Sequence, residues 1–255
     1  MCSILFAYQQ HPKYPLIVLA NRDEFYKRPT LQADWWKEHS EMLAGKDAVG
    51  NGSWFGMSKL GRFSALTNYR DGFNIIKDAP TRGKLVTNYL INDIDTRTYL
   101  EGVAVDSHLY NGYNLLTFDG KELFHYSNIS NEITPIKAGI HGVSNALLNT
   151  SWPKIDNGKA SLAQLIDIEK DFSVEAGFEL LLNEKRPADQ DLPNTGVPIE
   201  WERKLSSLCI KTEGYGTRCS TVMLWGTDGK IYYEERSYVP DAGKKVFEVS
   251  IKDKV

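Results

Sequence analysis

Residues 2–24 read CSILFAYQQHPKYPLIVLANRDE, and this stretch decides the fold. Two runs rich in β-forming residues, at positions 2–8 and 15–20, flank a polar connection that contains proline and lysine. This pattern is typical of an opening β-hairpin. We therefore expect the chain to begin inside a sheet, with the polar tetrad NRDE of positions 21–24 at the end of the second strand.

The pattern of the remaining chain alternates between helices and strands. Two helices are predicted within 78–110 and two more near 162–166 and 178–182, the last capped by Ser173, because apolar residues share one face there. Glycines and turn dipeptides separate predicted strands elsewhere, and 189–200 is predicted to be a surface loop. The predicted strands are 62–67, 113–118, 122–126, 219–225, 230–235 and 246–251.

This order of elements predicts an α+β fold. Hairpins such as the one at Asp119-Gly120 imply antiparallel pairing, and helices must cover the apolar faces of the sheets. No internal repeat or linker divides the 255 residues, so we expect one domain over 1–255.

Composition excludes several classes of function. A formal charge of -3 argues against a nucleic-acid partner, and no apolar run reaches the roughly 20 residues that a bilayer requires, so stable membrane insertion is not expected. The N-terminal stretch lacks the features of a signal peptide. Three cysteines and five histidines show no metal-type spacing, which predicts no metal site, a reducing compartment and a cytoplasmic location.

Cys2 is the first candidate for chemistry. Removal of the initiator methionine would leave a thiol and an α-amine on one residue, with ordinary pKa values of about 8.5 and about 8, so that the amine can serve as the base for the thiol. The alternative is a small buried hydrophobe at the start of a strand. Position alone favours this alternative.

The polar tetrad is the second candidate. Alternation along a strand would place Asn21 and Asp23 on one side and Arg22 and Glu24 on the other, so all four reach one pocket only if the backbone bulges or turns. The alternative is a solvated turn that holds an arginine–carboxylate pair.

Three further polar residues and one aromatic residue interrupt apolar or glycine-rich stretches. Asn68 and Asn145 carry amides that can donate to an oxyanion, and Arg218 can orient an amine or bind a carboxylate. Trp54 can line a ligand pocket. The alternatives are turn-forming asparagines, a strand-edge arginine and an aromatic at the edge of the core.

Several motifs identify a resemblance. The segments MCSILFAY, LANRDEFYKRPT, GSWFG, SALTNYR, RGKLV, HGVSN and YGTRCST resemble the NRDE-motif family, also named after transport and Golgi organisation protein two. The resemblance runs from Cys2 to about Glu235. It implies an N-terminal-nucleophile (Ntn) hydrolase fold, a four-layer αββα sandwich of two antiparallel sheets flanked by helices.

The resemblance also implies roles for the candidate residues. Cys2 would be the nucleophile, and Asp23 would bind its α-amine. The amides of Asn68 and Asn145 would support the oxyanion, and Arg218 would orient the amine. Arg22 would lie close to the thiol, and we count it with Asn21 and Trp54 as substrate-binding candidates. In the related penicillin V acylases and bile-salt hydrolases, two residues separate the early arginine and aspartate, whereas here they are adjacent.

Three functions stay open at this point. The first is a cysteine amidohydrolase that acts on a small amide or N-acyl substrate and needs no cofactor. The second is a carrier or chaperone that binds haem or another small ligand in the same pocket, with the haem link implied by the resemblance. The third is an interaction protein with a vestigial site. The sequence predicts neither the substrate nor the oligomeric state.

Overall fold

The structure is a computed structural model, and it describes residues 2–167 and 170–251. Their contacts divide the chain into two compact units. The first holds the described residues of Met1–Lys27, Arg70–Asn74 and Lys137–Val249, and the second holds those of Arg28–Tyr69, Ile75–Ile136 and Ser250–Val255. The expectation of one domain over 1–255 stays a prediction.

The secondary structure alternates as the sequence predicts. The strands are β1 (Cys2–Tyr8), β2 (Leu16–Phe25), β3 (Thr30–Trp35), β4 (Met42–Asp47), β5 (Phe55–Ser58), β6 (Arg62–Asn68), β7 (Tyr113–Phe118), β8 (Leu123–Ser127), β9 (Glu132–Pro135), β10 (Gly139–Val143), β11 (Tyr215–Trp225), β12 (Lys230–Ser237) and β13 (Gly243–Ser250). The α-helices are α1 (Gly83–Ile91), α2 (Thr96–Val105), α3 (Pro153–Leu165), α4 (Val174–Leu181) and α5 (Ile199–Lys204).

The first unit is built on a six-stranded sheet in the order β10-β1-β2-β11-β12-β13. Its two central pairs, β1 with β2 and β2 with β11, are antiparallel. Odd-numbered residues of β1 and β2, such as Leu5 and Leu19, pack with Leu162 of α3 and Phe178 of α4. The helices therefore cover one face of this sheet, and the even-numbered residues lie on the other face.

The second unit is built on a seven-stranded sheet in the order β3-β4-β5-β6-β7-β8-β9. Helices α1 and α2 pack on it through an apolar core that includes Tyr89, Leu90, Leu100, Tyr113 and Leu115. Two antiparallel sheets, each with its own helices, confirm the predicted α+β class. The four-layer stacking order stays a prediction.

Strand β2 differs from its prediction in a way that matters for the site. It continues through the tetrad to Phe25, so the tetrad lies inside a strand and not at its end, and the predicted strand end was wrong. The polar side chains did not stop the strand because both neighbours, β1 and β11, supply backbone partners there. Within the described residues that pair with β2, the register shifts on β11, between Thr217 and Cys219.

Other local predictions have mixed outcomes. The Ser173 cap is confirmed, since its hydroxyl accepts a hydrogen bond from the Ala176 amide at 3.2 Å. The loop predicted over 189–200 was wrong at its end, where α5 begins after Pro198. Proline is compatible with the start of a helix, because the first helical amides need no partner within the helix. Leu182, predicted to face the core, is 39% exposed beyond the end of α4.

None of the helices in the described part of the chain has the length and apolarity needed to span a bilayer.

Candidate functional site

Cys2 begins β1 in the first unit and lies directly opposite Arg22 of β2. Cys2 as a whole is 7% exposed. Burial raises the pKa of the Cys2 thiol from 9.0 to about 11. At pH 7 about one thiol in 10,000 would be ionised at such a pKa, so attack by this sulfur requires a proton acceptor in the same step.

The strand register aligns three side chains in one row. Cys2, Arg22 and Cys219 occupy paired positions on β1, β2 and β11, and directly paired residues of an antiparallel sheet share a face. This face is opposite to the one that α3 and α4 cover. Strand β2, which carries Arg22, therefore lies between the strands of two buried thiols, Cys2 on β1 and Cys219 on β11.

The Arg22 side chain is a buried donor with spare capacity. The residue is 5% exposed, and within residues 2–167 and 170–251 its Nη1 has no hydrogen-bond acceptor. Leaving a buried charged donor unpaired is costly, and such a group commonly indicates a ligand or a functional role. Arg22 is thus suited to bind an oxygen of a small molecule beside Cys2.

Asp23 lies on the helix-covered face, next to Arg22 in sequence but on the other side of the sheet. Its Oδ1 accepts a hydrogen bond from Thr217 Oγ1 at 2.6 Å, and Thr217 Oγ1 in turn accepts one from the Ile210 amide at 2.9 Å. Burial raises the pKa of the Asp23 carboxyl, while the charges of Lys154 and Arg22 oppose the rise. The carboxylate is therefore held in place through Thr217, in an environment that disfavours its charge.

Asn145 is linked to Cys2 through the residue that precedes it. The Ser144 hydroxyl lies 3.0 Å from the Cys2 carbonyl oxygen and 3.2 Å from Asn145 Oδ1, and both residues are buried. The Ser3 hydroxyl lies 3.0 Å from the same Ser144 oxygen. The segment after β10 thereby places an amide side chain close to the start of β1.

Arg218 occupies the bulge of β11. Thr217 pairs with Asp23 and Cys219 pairs with Arg22, so Arg218 is the extra residue between two site positions. Its Nη1 donates to the Phe25 carbonyl at 3.2 Å. A bulge commonly redirects a side chain beside a functional site. Here the bulge lies between Thr217 and Cys219, which pair with Asp23 and Arg22 of the tetrad.

Asn21 has a structural use. Its Nδ2 donates to the carbonyls of Leu181 at 2.8 Å and Leu208 at 3.0 Å, and its Oδ1 accepts from the Ser220 hydroxyl at 2.5 Å. The amide thus ties the end of α4 to the sheet on the face opposite to Cys2. A substrate-binding role for Asn21 stays a prediction.

Two predicted site residues belong to the second unit. Asn68 ends β6 and is half-buried. Trp54 precedes β5, is half-buried, and its ring lies 5.4 Å from that of Phe55. The structure therefore gathers Cys2, Arg22, Asp23, Asn145 and Arg218 in one unit, and the roles of Asn68 and Trp54 stay predictions.

Comparison with known proteins now identifies the family. The family model described as Transport and Golgi organisation 2 matches residues 1–240. The Transport and Golgi organization protein 2 homolog of Homo sapiens is 37% identical over 259 residues, which cover 93% of this chain and 93% of that protein. The chain belongs to the Transport and Golgi organisation 2 family. The resemblance read from the tetrad and its companion motifs is thereby confirmed.

Solved structures show a weaker likeness. A Caenorhabditis elegans ortholog of N-acylethanolamine-hydrolyzing acid amidase aligns with a TM-score of 0.48 at 13% identity, over 88% of this chain and 92% of that chain. Penicillin V acylase from Agrobacterium tumefaciens aligns with a TM-score of 0.47 at 12% identity, over 98% and 86%.

The motif reading missed three buried residues of the site. Ser144 and Thr217 stand inside the family motifs HGVSN and YGTRCST, but a hydroxyl at a strand end is too common to indicate a site by itself. Lys154 is 6% exposed at the start of α3, and nothing in its neighbourhood in the sequence indicates a buried lysine. Only contacts between segments distant in the sequence identify it.

A metal ion or a haem iron would need ligands from the described residues. Among them, no group of three or more histidine, cysteine or acidic residues could hold a metal ion. The ring nitrogens of His11 and His141 lie at hydrogen-bond distance from protein partners, and His125 Nε2 lies 3.0 Å from Asn114 Oδ1. These three histidines are thus engaged in the fold, and an axial haem ligand from them would require breaking those contacts.

Proposed function

We propose that the chain is a cysteine amidohydrolase of the N-terminal-nucleophile type, acting on a small amide or N-acyl compound. Cys2 is the nucleophile, and the α-amine that removal of Met1 would leave on Cys2 is its base. Met1 lies outside the described residues. Asp23 holds the amine, Asn145 and Asn68 support the oxyanion, Arg218 orients the amine, and Arg22 binds substrate beside the thiol. The role of Asn68 rests on the family resemblance alone.

The observation that carries this proposal is the pairing of Cys2 with Arg22. A thiol at the start of β1 lies beside a buried guanidinium whose Nη1 has no acceptor within the described residues. An amide carbonyl or a carboxylate of a substrate would supply that acceptor. A structural cysteine would need no such neighbour, whereas a reacting thiol needs a substrate held next to it.

The reaction follows from these positions. As the sulfur attacks the carbonyl carbon, the thiol proton passes to the α-amine, and the oxyanion forms near Asn145. The C–N bond then breaks, the leaving amine takes that proton, and the acyl group remains on sulfur as a thioester. Water next gives a proton to the α-amine and attacks the thioester carbon, which releases a carboxylic acid and restores the thiol.

Burial raises the pKa of the Cys2 thiol to about 11, and the α-amine of Cys2 is therefore important as its base. A thiol whose pKa is raised by burial is mostly protonated at neutral pH, so a base that takes its proton during attack favours the reaction. An α-amine has an ordinary pKa of about 8, which suits it to accept and return a proton near neutral pH. The haem-carrier and interaction-protein alternatives need no such base.

The test uses chromogenic N-acyl 4-nitroanilides with short, medium and long acyl chains. We expect protein whose intact mass lacks Met1 to release 4-nitroaniline, and Cys2→Ala to lose at least about 1,000-fold in kcat, because the nucleophile is gone. Cys219→Ser is the matched control, since it removes a buried thiol from the other side of Arg22 and should keep turnover. Retention of Met1, no turnover of any anilide, or equal turnover by Cys2→Ala would overturn the proposal.

A further inference from the structure

One buried hydroxyl joins the first residue of β1 to the segment that follows β10. It belongs to Ser144, which comes directly after β10 and is 2% exposed. Its oxygen lies 3.0 Å from the Cys2 carbonyl oxygen and 3.2 Å from Asn145 Oδ1. The proposed nucleophile and the proposed oxyanion amide therefore share one neighbour, and the reaction as described above gives that neighbour no role.

The Ser144 hydroxyl lies where backbone pairing on one side of β1 has ended. Among the described residues, β10 pairs with β1 only as far as Ile4 and Val143, two residues away from Cys2. On the other side, β2 pairs with β1 as far as Cys2 itself. A buried backbone carbonyl needs a hydrogen-bond donor, and on the β10 side the Ser144 side chain supplies it to Cys2.

A reacting residue at a chain end needs such a contact. In the proposed function, removal of Met1 makes Cys2 the terminal residue, and terminal residues are poorly ordered unless contacts tie them down. A reacting group that is displaced by about 1 Å can lose about 100-fold in rate. Backbone pairing with β2 holds one side of Cys2, and the Ser144 hydroxyl holds the other. This contact bears on the thiol and the α-amine alike, since both belong to Cys2.

The donors and acceptors of this cluster can be matched. Ser3 Oγ lies 3.0 Å from Ser144 Oγ, so the Ser3 hydroxyl can donate to Ser144. The single Ser144 proton then goes to the Cys2 carbonyl and Asn145 Oδ1, which share it in a three-centre bond. The hydroxyl thereby holds the acceptor end of the Asn145 amide. An oxyanion needs a donor, and the donor end of that amide is Nδ2, so this contact sets the orientation that the reaction requires.

The backbone of Asn145 is anchored separately from its side chain. The Arg70 amide donates to the Asn145 carbonyl at 2.8 Å, and the Arg70 guanidinium pairs with Glu202 at 2.9 Å. Loss of the Ser144 hydroxyl should therefore loosen the Asn145 amide and the Cys2 backbone while the segment itself stays in place. A substitution at Ser144 thus tests positioning within a folded protein.

We propose that Ser144 is a positioning residue of the Cys2 centre, whose hydroxyl holds the Cys2 backbone and the Asn145 amide in a fixed relation to each other. This inference rests on the proposed function. Ser144 acts on the reaction through Cys2 and Asn145 and touches no substrate. A hydroxyl that served stability alone would change the fraction of folded protein and leave the turnover of each folded molecule constant.

The first measurement is anilide turnover per folded molecule. In Ser144→Ala we expect kcat to fall about 30-fold, because nucleophile and oxyanion donor are no longer held together, while KM stays within about 2-fold. Ser144→Thr keeps a hydroxyl and should return kcat to within about 3-fold of the wild type. Ser207→Ala is the matched control, since Ser207 is 1% exposed in the same unit and donates to the Cys209 carbonyl at 2.6 Å. It should keep kcat.

The second measurement needs no amide substrate. An aldehyde with the same acyl chain forms a hemithioacetal with Cys2, in which the sulfur bonds to the aldehyde carbon and the thiol proton passes to the aldehyde oxygen. Calorimetric titration compares its affinity with that of the corresponding alcohol, which cannot form this bond, and Cys2→Ala serves as the blank. The preference for the aldehyde measures the oxyanion-like step alone. We expect Ser144→Ala to lower this preference about 10-fold and Ser207→Ala to keep it.

Several outcomes overturn the proposal. An unchanged kcat or an unchanged aldehyde preference in folded Ser144→Ala does so, and so does a threonine variant that is as impaired as the alanine one. Ser144→Gly is a second variant in case the alanine variant does not fold. Failure of both to fold would assign the hydroxyl to stability and also overturn the proposal.

These outcomes are separable from those of the proposed function. An aldehyde preference that depends on Ser144, without anilide turnover, would retain the role of Ser144 at the thiol and reject the hydrolase. Anilide turnover that Ser144→Ala leaves unchanged would do the reverse. A wild type that neither binds the aldehyde through Cys2 nor turns over an anilide would overturn both.

Discussion

A buried region of the second unit differs in kind from a buried region of the first. The core of the second unit joins α1 and α2 to its sheet through apolar side chains such as Leu90, Leu100 and Leu115. In the first unit, the region around Asp23, Arg70, Lys154 and Glu202 is also buried but carries charges from four segments. One region is stabilised by the area that it removes from water, and the other depends on each charge having its partner.

This difference indicates which region serves function. Apolar burial stabilises a fold without demanding particular partners, whereas buried charges cost free energy and are often no better for stability than apolar residues of the same size. The first unit has an apolar core of its own under α3 and α4, so it does not need charges to hold those helices. The charged region is therefore the part of the fold that stability alone does not explain.

The largest expected effect is at the buried ion pair. Glu202→Gln should lower the free energy of unfolding by about 4 kcal/mol, because it leaves the Arg70 guanidinium buried without its charge partner. Urea denaturation measures the change. The exposed Glu200 on the same helix provides the control, and Glu200→Gln should change stability by less than about 0.5 kcal/mol. A loss below about 1 kcal/mol for Glu202→Gln would show that the charged region tolerates change as the surface does.

A slightly smaller effect is expected in the apolar core. Leu100→Ala on α2 should cost about 3 kcal/mol, because it removes a fully buried side chain and leaves a cavity. Val105→Ala, on the same helix but 72% exposed, should be nearly neutral. Anilide turnover per folded molecule should not change in either variant. If folded Leu100→Ala lost turnover, the distinction between a stabilising region and a functional one would fail.

The smallest effect is expected at Asn21, whose buried amide belongs neither to the apolar core nor to the charged region. Asn21→Ala should cost about 2 kcal/mol, because the carbonyls of Leu181 and Leu208 lose their buried donors. Kinetics with the anilides separates this from substrate binding: a structural amide changes stability and leaves KM nearly constant. A large rise in KM without a loss of stability would instead support the substrate-binding prediction.

Much of the fold was predictable because its signals are local. Alternating or continuous apolar runs identified β1, β7 and β11, and the Ser173 cap identified the start of α4. The end of β2 was not predictable, since polar residues continue a strand when both neighbours pair with it, and pairing is a long-range property. Helix α5 was missed because a short helix that follows a proline has little periodicity.

The candidate site was also predictable only in part. The tetrad and its companion motifs identified Cys2, Asp23, Asn145 and Arg218 as candidates, and the family match confirms the resemblance on which their roles depend. They did not identify Thr217 as a partner of Asp23, because it follows Asp23 by 194 positions and no local pattern encodes such a contact.

The amino-acid sequence by itself determined the family, the α+β class and the residues with reactive or hydrogen-bonding groups, because composition, periodicity and motifs are properties of short stretches. Only the tertiary structure decided that Cys2 lies beside Arg22, that Arg218 occupies a bulge, and that Lys154 is buried. Strand register and burial are set by the whole fold. They determine which side chains meet and how strongly their charges interact.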